Sequence, residues 1–203
     1  MAVYPIVETF YSIQGEGLYA GAGAYFVRLF GCPVKCPWCD TKNSWTGKPN
    51  LSLSSDEIAN EASLSSCDFA VITGGEPTIH PLQELIDAFH ERGIKVHIET
   101  SGYMPKNIEA DWITLSPKLH SHTHESYLEA ADELKFIVSS EDDISLYLEK
   151  FGGYLRGKKA VFITPEFSKS RDAELLNSIC ETVKLYGSPL RAGWQLHKCF
   201  GAI

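Results

Sequence analysis

Short apolar runs alternate with helical patterns along most of the chain. In the helical segments, apolar residues recur at helical spacing, and residues typical of helix ends flank them. Ser54 and Glu57 have the spacing of a capping box at the start of the first predicted helix. The predicted helices are LSSDEIANEASL, PLQELIDAFHERG, EDDISLYLEKFGG and SRDAELLNSICETVKLYG. Cys180 falls on the apolar side of the last of these and is expected to be buried. The predicted strands, rich in β-branched and aromatic residues, are AYFVRLFG from Ala24, then DFAVITGG, IKVHIETSG, DWITLSPK, DELKFIVSS, KKAVFITPE and LRAGWQLHK.

This alternation predicts right-handed βαβ units and an α/β fold. We expect about six mainly parallel strands in one sheet. Full helices are fewer than strands, so a complete eightfold barrel is not expected and a partial β/α barrel is favoured. No repeat, low-complexity tract or linker divides the 203 residues, which predicts a single domain over residues 1–203.

Composition and charge narrow the possible partners. With 44% hydrophobic and 22% charged residues, the chain has an ordinary globular composition. A net charge of −8 gives no sign of a basic nucleic-acid-binding face. No apolar stretch reaches the ~20 residues of a membrane span, and the N-terminus lacks a signal-peptide pattern. We therefore expect a cytoplasmic protein whose six cysteines have a role other than disulfides.

Residues that could carry chemistry follow the carboxyl ends of several predicted strands. Residues 31–32 read Gly-Cys, 74–77 read Gly-Gly-Glu-Pro, 99–101 read Glu-Thr-Ser and 116–118 read Ser-Pro-Lys. Ligands of parallel α/β sheets gather at this end of the strands. The layout therefore predicts that these segments share one active site.

The strongest single motif is a loop of three cysteines. Cys32, Cys36 and Cys39 form a C-x3-C-x2-C run directly after a predicted strand. Thiolates are soft ligands that suit zinc or iron–sulfur clusters. A structural zinc site needs four ligands, whereas a cubane held by three cysteines keeps one iron open for another ligand. Zinc with a fourth ligand from elsewhere, or thiols without a metal, remain alternatives.

A second motif follows some 35 residues later. Gly74 and Gly75 would let a ligand approach the backbone closely, and Glu76 could accept from an ammonium group or hold the loop. By itself the GGEP segment could be a simple tight turn. Together, the cysteine loop and GGEP resemble the signature motifs of the radical S-adenosylmethionine (SAM) superfamily. That resemblance implies a [4Fe–4S] cluster and SAM as cofactors, with SAM cleaved to a 5′-deoxyadenosyl radical.

Further segments narrow the resemblance to one family. ETFYSIQGEG, FVRLFGC, CDT, SPK, ELKFIV and QLHK together resemble the 7-carboxy-7-deazaguanine synthases from about Glu8 to Lys198. The resemblance implies conversion of 6-carboxy-5,6,7,8-tetrahydropterin to 7-carboxy-7-deazaguanine with loss of ammonia, in queuosine and other 7-deazapurine biosynthesis. It also implies Mg2+, an electron donor such as flavodoxin, a homodimer, and a reduced barrel of six strands with three main helices.

The same resemblance assigns roles to individual residues. Arg28 would meet the substrate carboxylate, and Thr41 would be a Mg2+ ligand. The full substrate-binding set is Ile13, Gln14, Gly15, Glu16, Arg28, Thr73, His197 and Ile203. The SAM-contacting set is Trp38, Cys39, Asp40, Gly75, Glu76, Ser116, Pro117, Lys118, Thr164, Pro165, Glu166 and Phe167. From the residues alone, 13–16 could instead be an ordinary glycine-rich loop and Arg28 part of an internal ion pair.

The chain also departs from the family pattern. It has Pro33 where the family often has asparagine, Thr164 where glutamine is common, and Ile203 where proline is common. Two rival functions stay open. A glycyl-radical activase would share the cluster motif but act on a protein, and a non-catalytic zinc-binding module would have no use for GGEP.

Overall fold

A nine-stranded sheet organises the part of the chain that the computed structural model describes, residues 2–201. The strand order is β3-β1-β2-β4-β5-β6-β7-β8-β9, so the sheet is open, with β3 and β9 at its edges. In chain order the strands are β1 (Val3–Ile13), β2 (Gly23–Leu29), β3 (Leu51–Ser54), β4 (Phe69–Gly74), β5 (Lys95–Thr100), β6 (Trp112–Leu115), β7 (Glu133–Val138), β8 (Ala160–Pro165) and β9 (Leu190–Ala192).

Most neighbouring strands run parallel, as the alternating pattern predicts. Parallel pairing continues without a break from β2 through β4, β5, β6, β7 and β8 to β9. A parallel series that does not close on itself is the predicted partial barrel, so the fold class is confirmed.

Strands β1 and β3 extend the sheet beyond the predicted elements. β1 pairs antiparallel with both β2 and β3. Pro5 lies inside β1, and β3 has only four residues, so neither has a clear strand pattern. β1 matters for the site because it leads directly into residues 14–16.

Helices cover one face of the sheet in two apolar clusters. They are α1 (Ser55–Ser63), α2 (Gln83–His90), α3 (Glu125–Ala130), α4 (Glu141–Phe151) and α5 (Ala173–Tyr186), whereas the short α6 (Leu196–Phe200) lies beside the N-terminal loop. Helices α1 and α2 pack on the β1 half, and α3, α4 and α5 on the β9 half. The predicted capping box is present at α1, where the Ser54 amide donates to Glu57 at 2.8 Å. No helix within residues 2–201 could cross a membrane.

Two expectations for the C-terminal third are wrong. The run LRAGWQLHK is not one strand, because β9 ends at Ala192 and Leu196 begins helix α6. A side chain at Gly193 would overlap the Thr164 hydroxyl, and the Leu196 amide donates to the Gly15 carbonyl at 2.8 Å, so the chain turns towards the N-terminal loop. Cys180, expected on the buried side of α5, is exposed.

An aromatic layer fills the sheet face opposite the helices. His97 stacks on Phe69 with ring centroids 4.2 Å apart, and the Tyr19 ring meets it edge-on at 4.4 Å. Trp112 packs against Tyr19 at 4.9 Å. His97 is only 4% exposed, and this burial lowers its pKa to about 4. The imidazole is therefore neutral in the folded protein near neutral pH.

Protonation of His97 should make the fold less stable in mild acid. Between about pH 6.5 and about pH 4, His97 is protonated in the unfolded chain but neutral in the folded chain. The free energy of unfolding therefore falls by up to ~3 kcal/mol as the pH is lowered through this range. We expect His97→Leu to flatten this part of a pH series of urea unfolding curves. The control is His122→Leu at an exposed histidine, which should keep the wild-type slope. An unchanged slope in His97→Leu would contradict the assignment.

Candidate active site

A cavity of about 440 Å³ opens at the carboxyl ends of the parallel strands. Its volume is in the usual range for small-molecule sites. Residues on the helix-free face of the strands point into it, because successive side chains of a strand alternate between faces. The predicted site residues that line the cavity are Ile13, Gln14, Gly15, Glu16, Arg28, Cys32, Cys36, Trp38, Cys39, Asp40, Thr41, Thr73, Gly75, Glu76, Ser116, Lys118, Glu166, Phe167 and His197.

The three predicted cluster cysteines lie in one folded loop at the cavity wall. The Gly31 amide donates to the Ser44 carbonyl at 2.7 Å and closes the loop at its base. Cys32, Cys36 and Cys39 are partly buried and line the same cavity. Burial raises the pKa of the Cys32 and Cys36 thiols, and each lies close enough to Cys39 for that thiol to raise it further.

This donor set fits an iron–sulfur cluster. No group of three or more His, Cys, Asp or Glu side chains within residues 2–201 is arranged to hold a single metal ion. In a [4Fe–4S] cluster each thiolate binds a different iron, so the sulfurs need only surround one space. The Trp45 indole N–H donates to Cys39 Sγ at 3.4 Å. Cys32, Cys36 and Cys39 are the residues that would hold the cluster.

The GGEP segment is packed directly against the base of the cysteine loop. Gly75 donates its amide to the Leu29 carbonyl at 2.8 Å, and Glu76 donates its amide to the Gly31 carbonyl at 2.7 Å. A Cβ at Gly75 would overlap the Gly31 carbonyl oxygen, so only glycine allows this approach. Gly74 has a φ of +125°, which also favours glycine. The two motifs therefore form one continuous backbone wall.

Glu76 holds this wall together. Its side chain is 1% exposed and accepts from Thr78, from the Thr100 hydroxyl at 2.5 Å, and from the amide and hydroxyl of Ser101 at 2.8 and 2.5 Å. These donors occupy nearly all the lone pairs with which the Glu76 carboxylate can accept hydrogen bonds. Of the two roles considered for Glu76, the structure shows that of holding the loop.

A charged network lies under the N-terminal loop. Lys135, on β7, forms ion pairs with Glu16 and with Glu99, the latter at 3.0 Å. Gln14 donates to Glu99 at 2.8 Å, and Gln195 donates to Glu16 at 2.7 Å. The sequence pattern places Glu99 among the strand-end residues of the active site but gives it no contact, and it does not assign Lys135 or Gln195 to the site. A lysine in the middle of the apolar run ELKFIV is the signal that could have identified the first of them.

Arg28 forms an internal ion pair and also lines the cavity. Its Nε donates to Glu8 at 2.7 Å, so the internal ion pair is present. The guanidinium also lines the cavity and lies 5.9 Å from the centre of the Phe10 ring. The ion pair uses Nε, and among the described residues no hydrogen bond to its Nη groups is found. The rest of the guanidinium can therefore meet an anion in the cavity.

Asp40 and Thr41 form a polar edge beside the cysteines. The Thr41 hydroxyl donates to Asp40 at 3.0 Å, and Lys198 pairs with the same carboxylate at 2.9 Å. Burial alone would raise the pKa of Asp40, but the hydrogen bond and charge of Lys198 outweigh it and the pKa is lowered. Lys198 also lies 4.7 Å from the centre of the Phe167 ring. Both oxygens at this edge are hard donors of the type that Mg2+ prefers.

Some predicted residues do not line the cavity. The Pro117 carbonyl accepts from Tyr147 at 3.1 Å, Thr164 is buried in β8 and paired with Ile137, and Pro165 ends the same strand. Their neighbours Ser116, Lys118, Glu166 and Phe167 do line it. Lys118 donates to the Ser116 carbonyl at 2.8 Å, and its burial lowers its pKa. Ile203 lies outside the described residues.

Comparison with known proteins agrees with this geometry. The family model described as "Radical SAM superfamily" matches residues 27–130, which contain the cysteine loop and GGEP. A 7-carboxy-7-deazaguanine synthase from Synechocystis is 38% identical over 199 residues, with 98% of this chain and 93% of the relative covered. The synthase of Escherichia coli K12 is 35% identical, with 85% of this chain and 89% of the relative covered.

A solved structure supports the same relationship. The crystal structure of QueE from Escherichia coli superposes with a TM-score of 0.83 and 32% identity, and covers 96% of this chain and 95% of that one. These similarities extend over nearly the whole chain and do not favour a glycyl-radical activase or a zinc-binding module. The chain belongs to the 7-carboxy-7-deazaguanine synthase family of the radical SAM superfamily.

Proposed function

We propose that this chain converts 6-carboxy-5,6,7,8-tetrahydropterin to 7-carboxy-7-deazaguanine with loss of ammonia, as a radical SAM lyase of queuosine and 7-deazapurine biosynthesis. The observation that carries the proposal is the shared cavity. It brings the three thiols of the cysteine loop together with Gln14, Glu16 and Arg28, whose groups suit the polar edges and carboxylate of a pterin acid. The names of the relatives supply the product, 7-carboxy-7-deazaguanine, and the family resemblance supplies the substrate.

The residues divide between cofactor and substrate. A cluster held by the cysteine loop would supply the electron that cleaves SAM. Gly75 lines the cavity beside the cysteine loop, where SAM would bind, and Trp38 offers an aromatic surface for adenine. Arg28 orients the substrate through its carboxylate, while residues 13–16 contact the ring. Thr73, His197 and Ile203 complete the substrate set, and Pro117, Thr164 and Pro165 remain predicted SAM contacts.

Further features belong to the same proposal. We propose a single-domain homodimer that receives electrons from a small donor protein such as flavodoxin. The single sheet, with strands from Val3 to Ala192, supports the single domain. A cluster built on free thiols supports a cytoplasmic location, because reducing compartments preserve thiols.

The function is tested by anaerobic turnover. The protein is reconstituted with iron and sulfide, reduced, and mixed with SAM, Mg2+ and 6-carboxytetrahydropterin. We expect mass spectrometry to detect 7-carboxy-7-deazaguanine only when SAM and reductant are both present. Cleavage of SAM without this product would reject the substrate. A colourless, zinc-loaded protein that leaves SAM intact would reject the radical chemistry.

The Thr41 hydroxyl is the proposed protein ligand of Mg2+. We expect Thr41→Ala to raise the Mg2+ concentration needed for half-maximal turnover about tenfold or more, because a hard oxygen is lost beside Asp40. Thr41→Ser keeps the hydroxyl and should behave like the wild type. Iron content should be the same in all three proteins. An unchanged Mg2+ dependence in Thr41→Ala would remove Thr41 from the Mg2+ site.

A further inference from the structure

A single buried ammonium group joins two carboxylates from distant parts of the chain. The Lys135 side chain is 8% exposed, and its Nζ contacts Oε2 of Glu16 and, at 3.0 Å, Oε2 of Glu99. Glu16 comes from the loop after β1, whereas Glu99 is on β5 and Lys135 on β7. All three side chains line the cavity.

The other oxygen of each carboxylate is also held. Oε1 of Glu99 accepts from Gln14 Nε2 at 2.8 Å, and Oε1 of Glu16 accepts from Gln195 Nε2 at 2.7 Å. Each carboxylate therefore has one oxygen on the shared ammonium and one on a side-chain amide. This pattern fixes the orientation of both groups and leaves lone pairs that can accept from a ligand in the cavity.

Burial and Lys135 act in opposite directions on the pKa of Glu99. Burial alone would raise the pKa of Glu99, but the charge of Lys135 and the hydrogen bond from Gln14 outweigh it and the pKa is lowered. Burial alone would lower the pKa of Lys135, but Glu16 and Glu99 outweigh it and the pKa is raised. The other charged or titratable groups around the network are Arg28 on β2, Lys118 after β6, Glu133 on β7 and His197 on α6.

We propose that Lys135 is a positioning residue of the substrate site, whose ammonium holds Glu16 and Glu99 as a fixed pair of acceptors for the N–H groups of the substrate ring. This inference rests on the proposed function. Lys135 acts through the two carboxylates, which present negative oxygens where a pterin-like ring presents hydrogen-bond donors.

Loss of the ammonium has a defined consequence for pH dependence. Without Lys135, burial that raises the pKa of Glu99 is opposed only by Gln14 and Arg28, so Glu99 is protonated at a higher pH than in the wild type. A protonated carboxyl no longer offers two negative oxygens to the ring. Substrate capture should then fail first on the acid side and recover as the pH rises.

The test compares Lys135→Met with the wild type in reconstituted, reduced protein. We measure kcat/KM for 6-carboxytetrahydropterin from about pH 6 to about pH 9, together with iron content and SAM cleavage in the absence of substrate. We expect the acid limb of the Lys135→Met profile to move up by about one pH unit or more, with at least about a tenfold loss near pH 6. Iron content and substrate-free SAM cleavage should stay at wild-type levels.

The controls separate this inference from the proposed function. Lys135→Arg keeps the positive charge and should retain the wild-type acid limb, and a shift in that variant would also overturn the proposal. A loss in Lys135→Met that is equal at every pH would show that Lys135 is merely structural. If the wild type cleaves SAM but makes no product, the proposed function is wrong. This outcome is measured on the wild type alone, so it is distinct from a failure of the Lys135 proposal.

Discussion

Cys36→Ala should abolish both the cluster and the cleavage of SAM. Cys36 lies between the other two thiols of the loop, and three thiolates are the least that can hold a cubane with one open iron. Removing one leaves two thiolates, too few to hold the cubane. We expect the iron content and the visible absorption of the reconstituted protein to fall to background, with no detectable 5′-deoxyadenosine.

A matched cysteine variant shows that this effect is local. Cys180 is exposed on α5 and does not line the cavity, so Cys180→Ala should keep full iron content and SAM cleavage. Circular dichroism should show that both variants retain the fold, since the cysteine loop lies at the cavity and outside the two apolar clusters. Wild-type cluster content in Cys36→Ala would refute the assignment of the three thiols.

Gly75→Ala should give the second largest effect. The added methyl group would overlap the Gly31 carbonyl oxygen and approach Cys32 to 3.1 Å, so the base of the cysteine loop must move. We expect a destabilisation of about 1–3 kcal/mol, typical of overpacking, in urea unfolding of the protein without cluster. The same displacement should weaken SAM binding at least about tenfold, because a contact surface has shifted.

Gly152→Ala is the control for this substitution. Gly152 has a φ of −56°, and a Cβ there would meet no atom within 4 Å, so the added methyl group should be tolerated. We expect its SAM affinity to match that of the wild type. Its free energy of unfolding should be equal to that of the wild type or slightly higher. If Gly75→Ala bound SAM as well as Gly152→Ala does, the close approach of the two motifs would have no role in cofactor binding.

The parallel strands and the cysteine loop could be predicted because their signals are local. Each buried strand is a run of apolar residues, and Cys32 to Cys39 lie within one short stretch of chain, so their spacing is visible without the fold. The charged network could not be predicted in this way. Lys135 and Glu16 are 119 residues apart, and Gln195 and Glu16 are 179 apart, so only the closed fold brings them together.

Local patterns also failed where the backbone responds to distant contacts. The run after Arg191 is apolar enough for a strand, yet the contact of Gly193 with Thr164 and the hydrogen bond to Gly15 turn it into a short helix. Without this turn, Gln195 would not reach Glu16 at 2.7 Å. The turn after Ala192, which the local pattern does not predict, therefore places the Gln195 side chain in the site.

We propose that the ring contraction of a pterin acid takes place in this cavity, with SAM as cofactor. The most direct measurement is anaerobic turnover of the reconstituted wild type with 6-carboxytetrahydropterin, followed by mass spectrometry of the product and of the remaining SAM. We expect 7-carboxy-7-deazaguanine as the product. Several product molecules should form for each SAM consumed, because SAM is regenerated in the proposed reaction. Unchanged substrate alongside cleaved SAM would contradict it.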